Sequence, residues 1–292
     1  MLKNMKKRFF QREDNSMKVL DAGFVKEFIR LCDNGYKKGW HERNGGNLSY
    51  RIKEMEVESI KDDFTDKNSW MDIGTTVSDL KNEYFLVTGS GRYMMNVKDD
   101  PEANICIIKI DETGSKFKIV WGLNKGGRPT SELPSHLMNL EVVKKRTNGL
   151  FRIVYHCHAT NVIALTFVLP LEDKVFTREL WEMATECPVV FPEGVGVVKW
   201  MVPGGREIAV ETSKLMEKYN VAIWAHHGIF VTGPDFDTTF GLADTVEKSA
   251  EILVKVISMN GGLTKRQTIT TKNLIDLAKD FKVDLNQEAL KF

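Results

Sequence analysis

The hydrophobic pattern changes period several times along the chain, and each change marks an expected boundary between helix and strand. Residues 17–39 carry apolar side chains at helical spacing, and Gly39 is a suitable stop. The stretch "LSYRI" at 48–52 alternates as a strand does. In "NEYFLVTGSGRYMMNV" at 82–97, the pattern predicts a strand, a glycine turn and a second strand. Residues 54–82 are mixed and predict no definite element.

The rest of the chain continues with further strands and helices. "NICIIKID" and "FKIVWGL" are two strand patterns joined by the hairpin signal "ETGSK". "PTSELPSHLMNLEVVKKR" predicts a helix capped by Thr130 or Ser131, and another helix is expected from about residue 205. "NVAIWAHHGIFVTGPD" predicts a strand with a central turn. A long amphipathic helix follows, capped by Asp235 or Asp237, and "TKNLIDLAKDF" predicts a last short helix.

This order of elements predicts an α/β protein, because strands fill the middle of the chain and helices lie before, between and after them. We expect a single domain, residues 17–292, with a central mixed or antiparallel sheet covered by helices on both faces. No repeat or linker divides it. Residues 1–16 are a basic extension without an apolar core of signal-peptide length, and we expect them to be disordered or loosely docked.

Composition narrows the function more than the fold. The chain has 292 residues, a formal net charge of +1, 42% hydrophobic and 28% charged residues, which is ordinary for a soluble globular protein. A net charge near zero argues against nucleic acid as the main partner. No apolar run reaches the ~20 residues of a membrane span. Four scattered cysteines without a C-x-x-C pair fit a reducing compartment, so a cytoplasmic location is expected.

The candidate chemistry begins in "FRIVYHCHATNVIALTF" at 151–167, where two histidines lie in an apolar run. On a strand, His156 and His158 project from the same face, close enough to share one metal ion. Cys157 points the other way and is expected to fill the core. The alternative is a pair of core histidines, each with its own hydrogen bond. Because two adjacent rings would need two partners, a metal is the favoured interpretation.

A third ligand is expected from "WAHHGIF", which supplies two adjacent histidines. His226 and His227 would point to opposite faces of an extended strand, so one of them is expected to join the site. Three histidines with an open fourth position are typical of a catalytic zinc site. The absence of paired cysteine ligands agrees with that interpretation.

Three further segments are candidates for binding an anion. "RNGGNLS" and "VTGSGRY" offer small residues and free backbone N–H groups, although most such glycine pairs are only turns. In "PTSELPSH", Thr130 and Ser131 lie where a helix is expected to begin, and a helix N-terminus favours a phosphate. Glu132 follows in the expected first turn, where a glutamate is also favourable for purely structural reasons.

Together these motifs resemble those of the class II, zinc-dependent sugar-phosphate aldolases, from about Gly39 to the C-terminal helix. The resemblance is carried by "GWHERNGGNLS", "VTGSG", "PTSELPSH", "HCHATN", "FTRELWE", "TECPVVFP", "WMVPG", "HGIF" and "FGLADTVEKSAEILVKV". It implies the class II aldolase/adducin fold, one Zn²⁺ per subunit, and a homotetramer with active sites near the subunit interfaces. The implied reaction is the cleavage of a sugar phosphate to dihydroxyacetone phosphate and an aldehyde.

Matched position by position, the resemblance implies the roles of the site residues. His156, His158 and His227 match the zinc ligands. Glu132 matches the acid/base glutamate, and Glu186 matches a glutamate that reaches the site of a neighbouring subunit. The positions that match the binding site of the substrate phosphate are Asn44, Gly46, Asn47, Ser90, Gly91, Thr130 and Ser131.

The implied mechanism uses Glu132 to move a proton at the hydroxymethyl carbon of dihydroxyacetone phosphate while Zn²⁺ polarises the carbonyl. Three alternatives stay open at this point. The same scaffold could serve an epimerase or a dehydratase that acts on another sugar phosphate. It could be a non-catalytic binding module of the adducin type, or a protein with a purely structural zinc. An intact set of three histidines beside Glu132 favours the aldolase.

Overall fold

The computed structural model describes residues 17–66 and 68–291, so the predicted extension at 1–16 lies outside the described residues. The strands are β1 Asn47–Arg51, β2 Met71–Asp72, β3 Tyr84–Thr88, β4 Ile105–Ile110, β5 Lys116–Gly122, β6 Ile153–Cys157, β7 Gly196–Val198, β8 Val221–Trp224 and β9 Gly228–Gly233. The α-helices are α1 Gly23–Lys37, α2 Glu54–Ile60, α3 Met94–Val97, α4 Pro101–Asn104, α5 Leu133–Arg146, α6 Thr160–Leu165, α7 Asp173–Trp181, α8 Cys187–Val190, α9 Arg206–Met216, α10 Phe236–Asn260 and α11 Thr271–Phe281. Short 3₁₀ turns span Val19–Asp21, Lys61–Asp63, Ser78–Leu80 and Gln287–Leu290.

The strands form one sheet in the order β2-β5-β4-β3-β1-β6-β9-β8-β7. Every neighbouring pair is antiparallel except β7 and β8, which run parallel. The predicted hairpin of β4 and β5 is present. The segment predicted as a strand with a central turn forms two antiparallel strands, β8 and β9, on either side of that turn. The sheet is therefore mixed and mostly antiparallel, which confirms the predicted fold class.

Alternation along β6 divides its side chains between two hydrophobic cores, one on each face of the sheet. Tyr155 and Cys157 enter the larger core, which α1, α6, α7 and α10 cover. Val154 enters the second core, together with Phe230 of β9 and the apolar sides of α5 and α9. His156 alternates onto the same face as Val154. Helices thus cover both faces, and Cys157 fills the core as predicted.

One predicted strand is wrong. After the turn at 89–91, "RYMMNV" forms the short helix α3. Met94 and Val97 are both buried, and their spacing of three residues places them on one side of a helix but on opposite faces of a strand. The edge of β3 is instead taken by β4, whose continuous apolar run is buried on both faces. Residues 54–82, whose sequence pattern predicted no definite element, contain α2 and the short edge strand β2.

The last part of the chain follows the prediction closely. Asp235 is the N-cap of α10, and its side chain accepts a hydrogen bond from the Thr238 N–H at 2.7 Å. The helix ends at Gly261, which has the left-handed conformation that favours glycine (φ 67°). Among the described residues, no helix combines the length and apolarity that crossing a bilayer requires.

Candidate active site

The register of the central strands gathers the candidate residues at one end of the sheet. Asn47, at the start of β1, lies opposite His156 near the end of β6. Cys157 pairs with Ile229 of β9, so the turn between β8 and β9 lies beside the same end. The loop after β3 joins them, because the Leu48 N–H donates to Thr88 Oγ1. Antiparallel pairing thus brings together segments that are far apart in sequence.

Two of these segments, the end of β6 and the β8–β9 turn, supply a compact cluster of imidazoles. One ring nitrogen from each of His156, His158 and His227 lies within 4.8 Å of the other two. The ring centroids are 5.2 Å apart for His156 and His158, and 4.9 Å for His156 and His227. The prediction from "HCH" is therefore confirmed in geometry: both rings lie on one face and meet a third histidine from elsewhere.

The surroundings of His156 suit a metal ligand better than a core histidine. Its Nδ1–H donates to the Ile229 carbonyl at 2.9 Å, so Nε2 carries the lone pair. That Nε2 is buried and has no hydrogen-bond partner among the described residues. Burial, together with the neighbouring His227 and His158 rings, holds the pKa of His156 well below its usual range. A neutral ring with an unused lone pair is what a metal ion requires.

The other two rings have matching arrangements. His158 Nδ1 lies 2.6 Å from Glu42 Oε1, so the carboxylate accepts from this nitrogen and leaves Nε2 free to act as a ligand. Burial, followed by the nearby His158, lowers the pKa of His227 to about 4. The three nitrogens suit a divalent cation such as Zn²⁺, since neutral imidazoles are among its preferred ligands.

The structure also distinguishes the two adjacent histidines of the β8–β9 turn. His226 adopts a positive φ of 61°, so the backbone turns and the two residues do not alternate as in a strand. Its Nδ1 lies 3.0 Å from Thr166 Oγ1, and its ring packs on Phe167 with centroids 4.2 Å apart. His226 therefore points out of the cluster, and His227 is the third member, as the family resemblance implied.

Glu132 lies beside the cluster, but the predicted helix cap is wrong. The N-cap of α5 is Glu132 itself, without a side-chain cap, and neither Thr130 nor Ser131 occupies that position. The Glu132 N–H donates to Thr130 Oγ1 at 3.2 Å, which turns the chain before the helix starts at Leu133. Because Glu132 precedes the first turn, its side chain is released from the helix surface and lies among the site residues.

The Glu132 carboxylate is buried and faces the cluster directly. Its Oε2 lies 3.7 Å from the unused Nε2 of His156 and accepts a hydrogen bond from Asn47 Nδ2 at 2.9 Å. Burial raises the pKa of Glu132, while the Asn47 hydrogen bond and the His158 ring act in the opposite direction. Two atoms with lone pairs face each other here, and a cation between or beside them would remove the repulsion.

The residues expected to hold a phosphate lie on three loops at this same end. Backbone bonds join two of the loops: the Ser90 N–H donates to the Arg128 carbonyl at 2.8 Å, and the Thr130 N–H to the Thr88 carbonyl at 2.9 Å. Gly46 has a φ of 74°, and a Cβ there would lie 2.7 Å from the His156 carbonyl oxygen, so only glycine fits. The exposed members of the predicted set are Asn44, Ser90, Gly91 and Ser131.

Glu186 is exposed at the N-cap of α8. Within residues 17–66 and 68–291, no hydrogen bond or ion pair joins its carboxylate to the histidines. Its expected role in a neighbouring subunit therefore stays a prediction. A cavity of about 360 Å³ opens beside the cluster, and its lining includes Gly39, Thr160 and Ile163 together with two of the three histidines.

Sequence reasoning missed two residues of this site. Glu42, in "WHERNGG", holds His158, and His136, in "PTSELPSH", contacts Asn47. A signal existed for His136, because it follows Glu132 by four residues and therefore lies one helical turn away on a similar side. Nothing local pointed to Glu42, whose partner is 116 residues distant.

The comparisons with known proteins agree with this geometry. The family model described as "Class II Aldolase and Adducin N-terminal domain" matches residues 26–254. Rhamnulose-1-phosphate aldolase of Mannheimia succiniciproducens is 51% identical over 265 residues, which cover 91% of this chain and 96% of that protein. The enzyme of the same name from Klebsiella pneumoniae is 47% identical over 272 residues, 93% of this chain and 98% of that protein.

A solved structure extends the similarity to three dimensions. The sugar-phosphate aldolase from Thermotoga maritima superposes with a TM-score of 0.70 at 27% sequence identity, covering 81% of this chain and 95% of that one. The match to the family model, residues 26–254, includes the strand ends that carry the histidine cluster.

Proposed function

Since the chain belongs to the class II aldolase and adducin family, we propose that it cleaves L-rhamnulose 1-phosphate at a Zn²⁺ ion held by His156, His158 and His227. The products are dihydroxyacetone phosphate and L-lactaldehyde, and the activity is that of an aldehyde-lyase in carbohydrate breakdown. The named relatives, at 51% and 47% identity over almost their full length, support this substrate.

One observation carries the assignment of the metal site. The buried Nε2 of His156 has no hydrogen-bond partner within the described ranges 17–66 and 68–291, and it faces both the other two imidazoles and the Glu132 carboxylate. A buried polar atom without a partner is costly unless a ligand satisfies it. When bound there, a divalent cation supplies Lewis-acid chemistry and stabilises negative charge that develops on the substrate carbonyl oxygen.

The side chains around the cluster provide the remaining functions. Glu132 takes a proton from, or returns it to, the carbon next to the carbonyl, and its raised pKa suits a group that must both accept and donate. Asn47 holds that carboxylate in place through its amide N–H. The exposed loop residues Asn44, Ser90 and Ser131 bind the phosphate, which determines which carbon faces Glu132.

The assembly and location complete the proposal. We expect a homotetramer in which Glu186 of one subunit reaches the site of its neighbour and handles the proton on the aldehyde oxygen. The exposure of Glu186 supports this, because its carboxylate is accessible to another subunit. Four buried, unpaired cysteines support a reducing, cytoplasmic location. Sedimentation of the Glu186→Ala variant would separate a loss of assembly from a loss of turnover.

An assay of dihydroxyacetone phosphate release from L-rhamnulose 1-phosphate tests the proposal. Wild-type protein with one equivalent of Zn²⁺ should be active, and chelation should abolish activity until Zn²⁺ is restored. Glu132→Gln should retain the metal but lose roughly 10²–10⁴-fold in kcat, the usual contribution of a general acid/base. Full activity in Glu132→Gln would exclude this base. Conversion of the sugar phosphate without cleavage would instead indicate an epimerase or a dehydratase, and no bound metal would indicate an adducin-type module.

A further inference from the structure

The histidine of α5, His136, is fully buried, and both of its ring nitrogens are hydrogen-bonded to side chains of β1. His136 Nδ1 lies 2.7 Å from Ser49 Oγ, and its Nε2 is hydrogen-bonded to Asn47 Oδ1. Asn47 in turn donates through Nδ2 to Glu132 Oε2 at 2.9 Å. Four buried side chains therefore form one continuous hydrogen-bonded chain that ends on the carboxylate.

Secondary structure determines the positions of all four members. Asn47 and Ser49 are two residues apart on β1 and so share one face of the strand. Glu132 and His136 are four residues apart at the start of α5 and so lie one helical turn from each other. The strand face and the helix start meet across the His136 ring, which spans the gap between Ser49 and Asn47.

The chain of hydrogen bonds has a direction. Burial lowers the pKa of His136 to about 3, so the ring is neutral and has one donor nitrogen and one acceptor nitrogen. With the proton on Nε2, the ring donates to the Asn47 carbonyl oxygen, Ser49 donates to Nδ1, and the Asn47 amide N–H faces Glu132. With the proton on Nδ1, Asn47 would have to turn its oxygen toward the carboxylate, where two acceptors repel.

We propose that His136 is a positioning residue that locks the Asn47 amide and so holds the Glu132 carboxylate against the histidine cluster. It touches neither the substrate nor the metal. The proposal rests on the proposed role of Glu132 as acid/base. Without the ring, the Asn47 amide is free to flip, and the carboxylate loses the donor that determines its position.

Two substitutions of His136 distinguish positioning from packing. The amide nitrogen of His136→Gln falls near the position of Nε2 and can still donate to Asn47. The shorter amide of His136→Asn falls near Nδ1, reaches Ser49 and leaves Asn47 without its partner. We expect His136→Asn to lower kcat by roughly 10–100-fold, the usual effect of losing a supporting hydrogen bond, and to change KM little. His136→Gln should recover most of this loss.

A double-mutant cycle shows whether the effect passes through Asn47. In an Asn47→Ala background, adding His136→Asn should cause no further loss of kcat, because the intermediary is already gone. Equal kcat for His136→Asn and His136→Gln, or an undiminished effect of His136→Asn in the Asn47→Ala background, would overturn the proposal. Metal content per subunit and thermal unfolding, measured on each variant, restrict the comparison to folded, loaded protein.

Ser49→Ala provides a second route if His136→Asn does not fold. It leaves the ring in place but removes the donor to Nδ1, and a several-fold fall in kcat is expected; an unchanged kcat would contradict the proposal. The proposed function is tested separately. If Glu132→Gln retains full activity, the acid/base assignment itself is wrong. If Glu132→Gln is inactive and both His136 variants are fully active, only the positioning role is wrong.

Discussion

The two ends of the central strands carry polar groups that are organised in opposite ways. At one end of β1 and β6, three imidazoles face one another and a carboxylate, and the central His156 Nε2 has no hydrogen-bond partner in the part of the chain that the structure describes. At the other end, opposite charges meet: Arg51 donates to Glu83 at 3.1 Å, and Lys144 donates to the same carboxylate at 2.5 Å. The same two strands carry both arrangements, which differ in the side chains that the neighbouring loops and helices bring to each end.

Cavity size does not distinguish the two ends. The paired end borders a cavity of about 480 Å³ lined by groups such as Arg51, Glu83 and Arg152, whereas the cavity beside the histidines measures about 360 Å³. The larger cavity is bordered by charges that largely neutralise one another. The smaller one has lone pairs aimed at a common point. Ring nitrogens that converge on one point, rather than cavity volume, distinguish the proposed functional end, and four predictions test this contrast.

Removing a ligand should have the largest effect. His227→Ala leaves two imidazoles, and we expect metal content to fall well below one per subunit and activity to drop on the order of 10³-fold, equivalent to about 4 kcal/mol of lost stabilisation. Metal analysis and the cleavage assay measure both quantities. His226→Ala is the matched control, since this neighbouring ring faces Thr166. Equal metal loss in both variants would contradict the assignment of ligands.

The free energy of unfolding of the metal-free protein should depend on pH, because His41, near the histidine cluster, is buried and neutral. Burial lowers the pKa of His41 to about 4 from an ordinary value of 6.5. Between these pH values the ring stays neutral in the folded state, whereas the same ring in the unfolded chain is protonated. The stabilisation is complete above pH 6.5 and is lost as pH falls toward 4, by up to ~1.4 kcal/mol per pH unit and about 3 kcal/mol in total.

Urea unfolding of the protein after its metal has been removed with a chelator, at pH 7.5, 6.0 and 5.0, measures this dependence. His41→Gln should flatten the curve by about one proton's contribution, since it removes one buried titratable ring. An identical slope in wild type and His41→Gln would show that His41 does not resist protonation in the fold.

Removing the shared carboxylate at the end of the sheet where Arg51 and Lys144 meet Glu83 should lower the free energy of unfolding and leave the catalytic rate unchanged. Glu83→Ala deprives both Arg51 and Lys144 of their shared carboxylate. We expect a loss of about 2 kcal/mol in the free energy of unfolding, less than for a fully buried pair because Glu83 is partly exposed. The kcat per folded subunit should stay within about twofold of wild type. A large fall in kcat would mean that this end communicates with the site.

The smallest effect is expected from changing Glu42, whose carboxylate accepts a hydrogen bond from His158. Glu42→Gln keeps the size of the side chain but removes its charge, which holds the ring at 2.6 Å and increases its basicity. Because Glu42 is largely exposed, we expect the lower end of the usual range, about a tenfold weaker affinity for Zn²⁺. Competition with a chelating dye measures the affinity. Unchanged affinity would show that Glu42 is an incidental neighbour.

Local sequence was sufficient for those features that depend on the period of the side chains. The two-residue spacing of His156 and His158 placed both rings on one strand face, and the pattern limited the cap of α10 to Asp235 or Asp237, of which Asp235 is the cap. Prediction from local sequence failed where the neighbours of a segment come from distant parts of the chain. "RYMMNV" has an apolar content that suits a strand, but the position beside β3 is taken by β4, so the segment forms α3.

The sequence by itself determined the types of groups available: three ring nitrogens, one acidic side chain before a helix, and glycine-rich turns with free N–H groups. The family resemblance favoured His227 over His226, and the tertiary structure decided why: the chain turns at His226. Only the tertiary structure decided how close Glu132 lies to His156, and that Glu42 and His136 support the site. Periodicity follows from covalent geometry within a few residues. The contacts between β1, β6 and α5 depend instead on burying apolar faces across roughly a hundred residues, and this long-range packing also sets the strand register.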